Sequence, residues 1–356
     1  MSETLTSNAL MDVNARFVRA YLGEQWLAFK EVDSWKGHRE RVTRAAREQG
    51  LEVATAGRTI MFFHQDRCVG GLEGLQPSLV SSFARSVSAS KAKTRMLLEQ
   101  SGVPVPAGEA FGAAEYQEAA DYMQSADASR FVLKPVDGSG GSGVTTGLFP
   151  EDAQAVEAAW AEARRASKKG RLVVEEEIPG LDVRVYVVDG AAVSAAVRIP
   201  PFVYGDGART VHSLYEELVE ARSAHAYLNT KTIAVADEVL SAQGREWESV
   251  PAAGEVVFLN GTANISRGGI AVDVTEAAHP QVLRLAEEAA AAVPGLNTAG
   301  VDVLTPDLSG PEGAKVIELN TSPNLSVHDY PAYGEAQGVA ERIVEAMLRH
   351  TSVMAL

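Results

Sequence analysis

Along the chain, runs with apolar residues every three or four positions alternate with short β-branched runs bounded by glycine and proline, which predicts a mixed α/β fold. Trp35 to Gln49 and Lys91 to Gln100 (KAKTRMLLEQ) have helical spacing, and the second run is closed by Gly102 and the extended GVPVP. Thr59 to Val69 is strand-rich. FVLKP (Phe131 to Pro135) is an expected strand, DGSGGSG a glycine loop, and Pro150 to Ala166 an alanine-rich helix entered at its proline. RLVVEEE is the next strand. DVRVYVV and AAVSAAVRI flank Asp189-Gly190, a hairpin signal that calls for an antiparallel sheet.

Thr210 to His225 is an expected helix, EVVFL (Glu255 to Leu259) a strand, and Gln281 to Ala292 an amphipathic helix. AGVDVLTP and AKVIELN are then two apolar, β-branched strands joined by DLSGPEG, and Gly334 to Arg349 forms a closing helix. With 356 residues the chain is long enough for two or three packed units. The first 85 or so form a leading α/β subdomain without a motif tied to chemistry.

Charge narrows the function. A formal net charge of -15 argues against a nucleic-acid partner, whose binding draws on lysines and arginines that neutralise phosphates. One triphosphate can still be neutralised locally by a few placed cations and backbone N–H groups. Cys68 is the only cysteine, which excludes an internal disulfide and fits a reducing compartment. The start, MSETLTSNAL, lacks the basic and apolar regions of a signal peptide, and no apolar run has membrane-spanning length, so the expectation is a cytoplasmic protein without a membrane partner.

Several residues could carry chemistry. Gly138, Ser139, Gly140, Gly141 and Ser142 lie in the glycine loop directly after the strand that contains Lys134, and such a loop can fold over a triphosphate. A flexible surface linker is the alternative; Lys134 favours phosphate. No Gly-Lys-Ser or Gly-Lys-Thr follows, so this is not a Walker loop. Asp302, Glu318 and Asn320 form the sharpest constellation: alternation puts Glu318 and Asn320 on one face, and the preceding strand can bring Asp302 beside them. Those oxygen donors suit Mg²⁺; solvent-facing charge on an edge strand is the alternative.

Glu175, Glu176 and Glu177 precede Ile178, either as a solvated turn or as a hinge that reads an adenine, with Asp182 near the ribose. Arg184, Arg198 and Arg267 can bind phosphate or carboxylate and offset charge in phosphoryl transfer. His328 either faces the substrate or is a structural loop histidine. The sequence has no HExxH, GxSxG or strand-to-helix GxGxxG, which weakens metallohydrolase, serine-hydrolase and dinucleotide readings.

The ordered set resembles the ATP-grasp superfamily, most nearly the ATP-grasp part of cyanophycin synthetases, and more distantly bifunctional glutathione synthetases and D-alanine–D-alanine ligases. The resemblance covers roughly Ser86 to Leu348 and is carried by VPAAGEVVFLNGTANISRGGIAVDVTEAAHP and by AGVDVLTP followed by VIELNTSPNLS. It implies Lys91 and Lys134 as nucleotide-binding lysines, DGSGGSG as the phosphate-covering loop, Glu175 to Ile178 as the adenine hinge, and Asp182 at the ribose. Asp302, Glu318 and Asn320 fall on its Mg²⁺ positions, and Arg184 and Arg198 on the arginines that meet the γ-phosphate or acyl phosphate.

The implied fold has an N-terminal subdomain (1–85) and an ATP-grasp domain (86–350), divided into a lid at about 103–185 and a C-terminal part at 186–350. The implied activity is an ATP- and Mg²⁺-dependent carboxylate–amine ligase that releases ADP and phosphate, using two ions that Mn²⁺ can replace. Its partners are a small-molecule acid and an amine, and homodimers are common among similar enzymes. Arg267 stands where family members commonly keep a small residue, so an unusual substrate pocket is expected. Because the chain stops after the ATP-grasp unit, a stand-alone ligase is expected instead of cyanophycin polymerisation. An ATP-grasp kinase acting on a hydroxyl, a nonenzymatic ATP-binding regulator and a thiol-acceptor ligase are the alternatives.

Overall fold

The computed structural model describes residues 8–137 and 142–353. The helix Asn8–Tyr21 is followed by the helix His38–Glu48 and a four-stranded antiparallel meander of β1 (Glu52–Ala56), β2 (Thr59–His64), β3 (Arg67–Glu73) and β4 (Gln76–Pro77). Val42, Ala45 and Ala46 recur at helical spacing and are buried with Phe62 and Leu72 of the meander. Ile343 and Met347, from the final helix Val339–Val353, complete this core together with Tyr186 and Val188. The leading segment therefore shares its cores with the rest of the chain. Phe17 and Trp26 are buried in the larger core around Val185 and Val301.

A second antiparallel sheet contains β5 (Gly108–Gly112), β6 (Phe131–Pro135), β7 (Thr145–Leu148) and β8 (Arg171–Glu176), in the order β5-β8-β6-β7. The helices Tyr116–Ser125 and Ala153–Ala166 supply Met123 and Trp160 to its core, which also holds Phe131, Leu133 and Leu172. The second helix starts three residues later than its proline suggested. Asp152 is the residue before it, and its carboxylate accepts the Ala155 N–H, satisfying a backbone donor that Pro150 could not reach.

The third sheet positions the site. It contains β9 (Leu181–Val188), β10 (Ala191–Ile199), β13 (Ile270–Asp273), β14 (Thr298–Thr305) and β15 (Lys315–Asn320), in the order β13-β10-β9-β14-β15; β11 (Phe202–Tyr204) and β12 (Val256–Phe258) form a separate pair. Asp189 and Gly190 both have positive φ, 52° and 79°, the backbone that a tight two-residue hairpin between β9 and β10 requires. The expected boundary at 185 falls inside β9. The chain leaves the four-stranded sheet at Glu176 and enters the five-stranded sheet at Leu181, so the passage between them is 177–180.

Alternation divides the five-stranded sheet into two faces. Val183, Val185 and Val187 of β9 are buried in the main core with Val197, Val301 and Val303. The other face is apolar at one end, where Tyr186 and Val188 join the core under the final helix, and charged at the other, where Asp182 and Arg184 emerge. A register shift beside Asp302 leaves Ile317 unmatched, so that Asp302 pairs with Glu318, and Gly300 with Asn320.

Candidate active site

Between the four-stranded and five-stranded sheets lies a cavity of about 310 Å³. Lys91, Lys134, Glu175, Glu176, Ile178, Asp182 and Glu318 all line it, although they come from five separate stretches of sequence. Val132, Leu304 and Ile317 add apolar wall on which a planar base can stack. Lys91 opens the helix Lys91–Gln100, and its Nζ is 3.8 Å from Glu318 Oε1. Lys134, on β6, forms an ion pair with Glu175 on β8, one rung away on the same face.

The run of three glutamates is not a solvated turn, because each carboxylate has its own cation. Glu175 faces Lys134, Glu176 is paired with Lys315 of β15, and Glu177 Oε2 is 2.8 Å from Arg130 Nε. Glu176 Oε1 also accepts the Ala107 N–H at 2.7 Å. Burial works against the Glu176 charge, but Lys315 and that N–H outweigh it and hold the carboxyl below its ordinary range. For Glu177 burial prevails over Arg130 and pushes the carboxyl up. The Lys315–Glu176 pair ties the end of the four-stranded sheet to the five-stranded one.

Beside the cavity lies a cluster of four charges. The Arg184 guanidinium grips Asp302 through two hydrogen bonds, Nε to Oδ1 and Nη2 to Oδ2, the latter 2.9 Å long. Arg198 Nη2 is 2.6 Å from Asp182 Oδ1 and 3.1 Å from Asp302 Oδ2, which links both carboxylates. Burial opposes charge on Asp302, yet Arg184 and Arg198 together keep its carboxyl below the usual range. Asp182 is pushed up, by burial first, with Arg198 opposing and Asp302 adding to the rise.

The oxygen donors proposed for a metal fit Mg²⁺ by chemistry. Asp302 and Glu318 are cross-strand partners, and Asn320, on the same face, has its Nδ2 3.5 Å from Asp302 Oδ2. Each carboxylate oxygen has two lone pairs, so the arginine bonds leave Asp302 able to share an ion with Glu318 and phosphate oxygens. Among the described residues, no group of three or more His, Cys, Asp and Glu side chains is arranged around a metal-sized gap.

Arg267 and His328 are not among the residues that line the cavity. Arg267 ends the 3-10 turn Ile265–Arg267 and is exposed, in the stretch that leads into β13, the strand paired with that of Arg198. Its neighbour Gly268 has φ +96°, and a Cβ there would meet the Ile233 backbone at 2.6 Å, so the turn is tightly seated. His328 is buried behind the arginines and does not face the cavity; its Nδ1 is 2.7 Å from Ser194 Oγ and its ring meets Tyr186 edge-on. Burial, then Arg184 and Arg198, push its pKa down to about 3. Ser142 is exposed at the end of the glycine loop, whereas Gly138, Ser139, Gly140 and Gly141 lie outside the described residues.

Asn14 is a cavity residue that sequence reasoning missed. It is buried on the helix Asn8–Tyr21 and lines both the main cavity and an adjoining one of about 330 Å³ with Thr146, Glu177 and Gly261. Nothing in its local sequence distinguishes it from any polar residue on an amphipathic helix.

The chain is similar in sequence and fold to known proteins. The chain is 35% identical over 274 residues to a cyanophycin synthetase of Geminocystis herdmanii, a match covering 73% of this chain and 30% of that protein. It is 30% identical over 278 residues to a glutathione biosynthesis bifunctional protein of Enterococcus faecalis, covering 73% of this chain and 35% of the relative. The chain thus spans about a third of the length of these curated relatives. A bifunctional glutathione synthetase from Pasteurella multocida superposes with a TM-score of 0.65 at 23% identity, over 88% of this chain and 44% of that one. No family model matches. Fold and relatives define the class: this is a chain of the ATP-grasp type. Within that class it is similar in sequence to cyanophycin synthetases and to bifunctional glutathione-forming proteins.

Proposed function

We propose that the chain is an ATP- and Mg²⁺-dependent ligase that activates a small-molecule carboxylate as an acyl phosphate and joins it to an amine. The observation that carries this reading is the convergence of Lys91, Lys134, the Glu175–Ile178 hinge, Asp182 and Glu318 on one cavity. Val132, Ile178 and Leu304 would hold the base of ATP, and Lys91 and Lys134 its triphosphate. When bound, Mg²⁺ on Asp302, Glu318 and Asn320 neutralises phosphate charge; two ions, with Mn²⁺ able to replace them, complete the proposal.

The substrate carboxylate oxygen attacks the γ-phosphorus and ADP leaves with the electron pair of the broken P–O bond. Arg184 and Arg198 are the nearest cations beside the oxygen-donor set, and their role is to offset charge on the transferring group. The amine nitrogen then attacks the acyl carbon, inorganic phosphate leaves, and the nitrogen loses a proton. No side-chain nucleophile takes part, so catalysis rests on positioning and electrostatics.

ADP release measured across a matrix of candidate acids and amines tests the reading. The expected result is release that requires one acid and one amine together and is lost in Glu318→Gln. Release that needs only an alcohol, leaving a stable phosphorylated alcohol, favours a kinase; no release with any combination contradicts both.

A further inference from the structure

The four-stranded sheet and the helix Lys91–Gln100 meet at Glu175, whose carboxylate faces two cations at once. Its Oε2 is paired with Lys134 of β6, while its Oε1 is 3.9 Å from Arg95 Nη1. Only 11% of the Glu175 side chain is exposed, the same as for Lys134, so these partners meet largely out of water. Gly108, the cross-strand partner of Glu175 on β5, leaves room for this arm, since a Cβ there would come within 2.7 Å of Glu175 Cγ.

Arg95 is one helical turn past Lys91, on the same face of the helix. Its Nε donates to Glu99 Oε1 at 2.8 Å, an interaction at the helix's own surface. Its Nη1, by contrast, is buried and has no hydrogen-bond partner among the described residues. A buried guanidinium N–H without an acceptor is costly, and the carboxylate oxygen it faces, on Glu175, is just beyond hydrogen-bond reach. Behind the main cavity lies a small pocket of about 20 Å³ lined by Arg95, Glu175 and Glu318, which gives the Glu175 carboxylate space to turn. Arg95 lines that pocket and not the main cavity, so it acts on a nucleotide there only through another residue.

We propose that Glu175 is a relay between Lys134 and Arg95, which makes Arg95 a positioning residue for nucleotide binding. When a triphosphate takes Lys134, the Glu175 carboxylate turns to Arg95 Nη1 and closes the 3.9 Å gap, so that it is not left buried without a cation. The waiting N–H gains its acceptor in the same movement. Without Arg95 the carboxylate has only Lys134, and a nucleotide must break that pair uncompensated. ATP affinity therefore depends on a side chain outside the cavity. The relay rests on the placement of the triphosphate at Lys134.

The test uses the full chain with Mg²⁺ and a non-hydrolysable ATP analogue, titrated in a calorimeter. Arg95→Met is expected to weaken binding ten-fold or more, and Arg95→Lys, which keeps a cation within reach, to stay within three-fold of the unsubstituted chain. Glu175→Gln removes the competitor for Lys134 and should bind the analogue at least as tightly as the unsubstituted chain. In that background Arg95→Met should change the affinity less than two-fold, because the carboxylate it serves is gone. Unchanged affinity in Arg95→Met, equal losses in Arg95→Met and Arg95→Lys, or a loss from Arg95→Met that persists beside Glu175→Gln overturns the relay. If Arg95→Met alone does not fold, the comparison of Glu175→Gln with the double variant, in which both buried charges are removed together, still decides on the same two-fold threshold. Lys134→Met separates the relay from the reading beneath it: weaker binding there with none of the Arg95 effects overturns the relay alone, and unchanged binding overturns the triphosphate placement and the relay together.

Discussion

Arg184 and Asp302 stand directly opposite each other on neighbouring strands of the five-stranded sheet, and the guanidinium of one closes on the carboxylate of the other through two hydrogen bonds. Both are buried, at 7% and 3% exposure, and Arg198 is the only other cation in contact with Asp302 among the described residues. Removing one partner leaves a buried charge incompletely compensated. Arg184→Met should therefore lower unfolding stability by about 3 kcal/mol. Glu318→Gln, on a side chain 40% exposed, should leave denaturant stability nearly unchanged while reducing turnover at least a hundred-fold. Equal stability losses in the two variants would contradict the division between buried framework and exposed ligand.

Lys134 and Glu175 are an ion pair inside the cavity, and a bound triphosphate would compete for that lysine. A hydrogen bond to a charged group is worth about 1.5–3 kcal/mol, so Lys134→Met should weaken ATP binding by about ten- to a hundred-fold in calorimetry. Lys91→Met should act in the same direction. Unchanged affinity in both would mean that the triphosphate lies elsewhere.

How much of this was legible in the sequence depended on how local the cause was. The β9–β10 hairpin followed from Asp189-Gly190 between two apolar runs, and the Asp302–Glu318 juxtaposition from alternation along two strands joined by a short loop. Ends were less readable: the final helix starts at Val339, not Gly334, and the helix expected from Trp35 starts at His38 because Trp35 is held by Ser326 and Tyr227. The pairing of Arg184 with Asp302 spans 118 positions, and Asn14 reaches the cavity only because its helix packs on the main core. Register across strands and docking of the leading segment are set by tertiary packing, which no local pattern encodes.

Burial lowers the His38 pKa to about 4, and it also lowers those of His225 and His328. The folded pKa lies below the unfolded value, so the neutral ring favours folding at neutral pH, and that stability is lost as pH falls below the unfolded pKa of 6.5. For His38 alone the loss between pH 8 and pH 5 is about 2 kcal/mol. Urea midpoints should fall over this range, and His38→Leu should flatten the slope by that amount. A slope independent of His38 would mean that this ring is charged or solvated in the folded chain.

Arg267, exposed at the end of its 3-10 turn, is free of the Arg184–Asp302–Arg198 cluster, and its expected role is to clamp an anionic group of one substrate. Arg267→Ser should raise the KM of the acid or of the amine several-fold and leave the ATP KM within two-fold, the pattern of lost substrate binding. A parallel rise for ATP and both substrates would assign the turn to folding instead.

The proposed reaction passes through an acyl phosphate, because Lys91, Lys134 and Glu318 meet in one cavity and the proposed mechanism needs no side-chain nucleophile. The most direct measurement is positional isotope transfer with the acid substrate labelled by ¹⁸O in its carboxylate. One labelled oxygen is predicted to appear in the released inorganic phosphate, with ADP as the nucleotide product. Amide formation that releases AMP and pyrophosphate, or phosphate free of label, would contradict it.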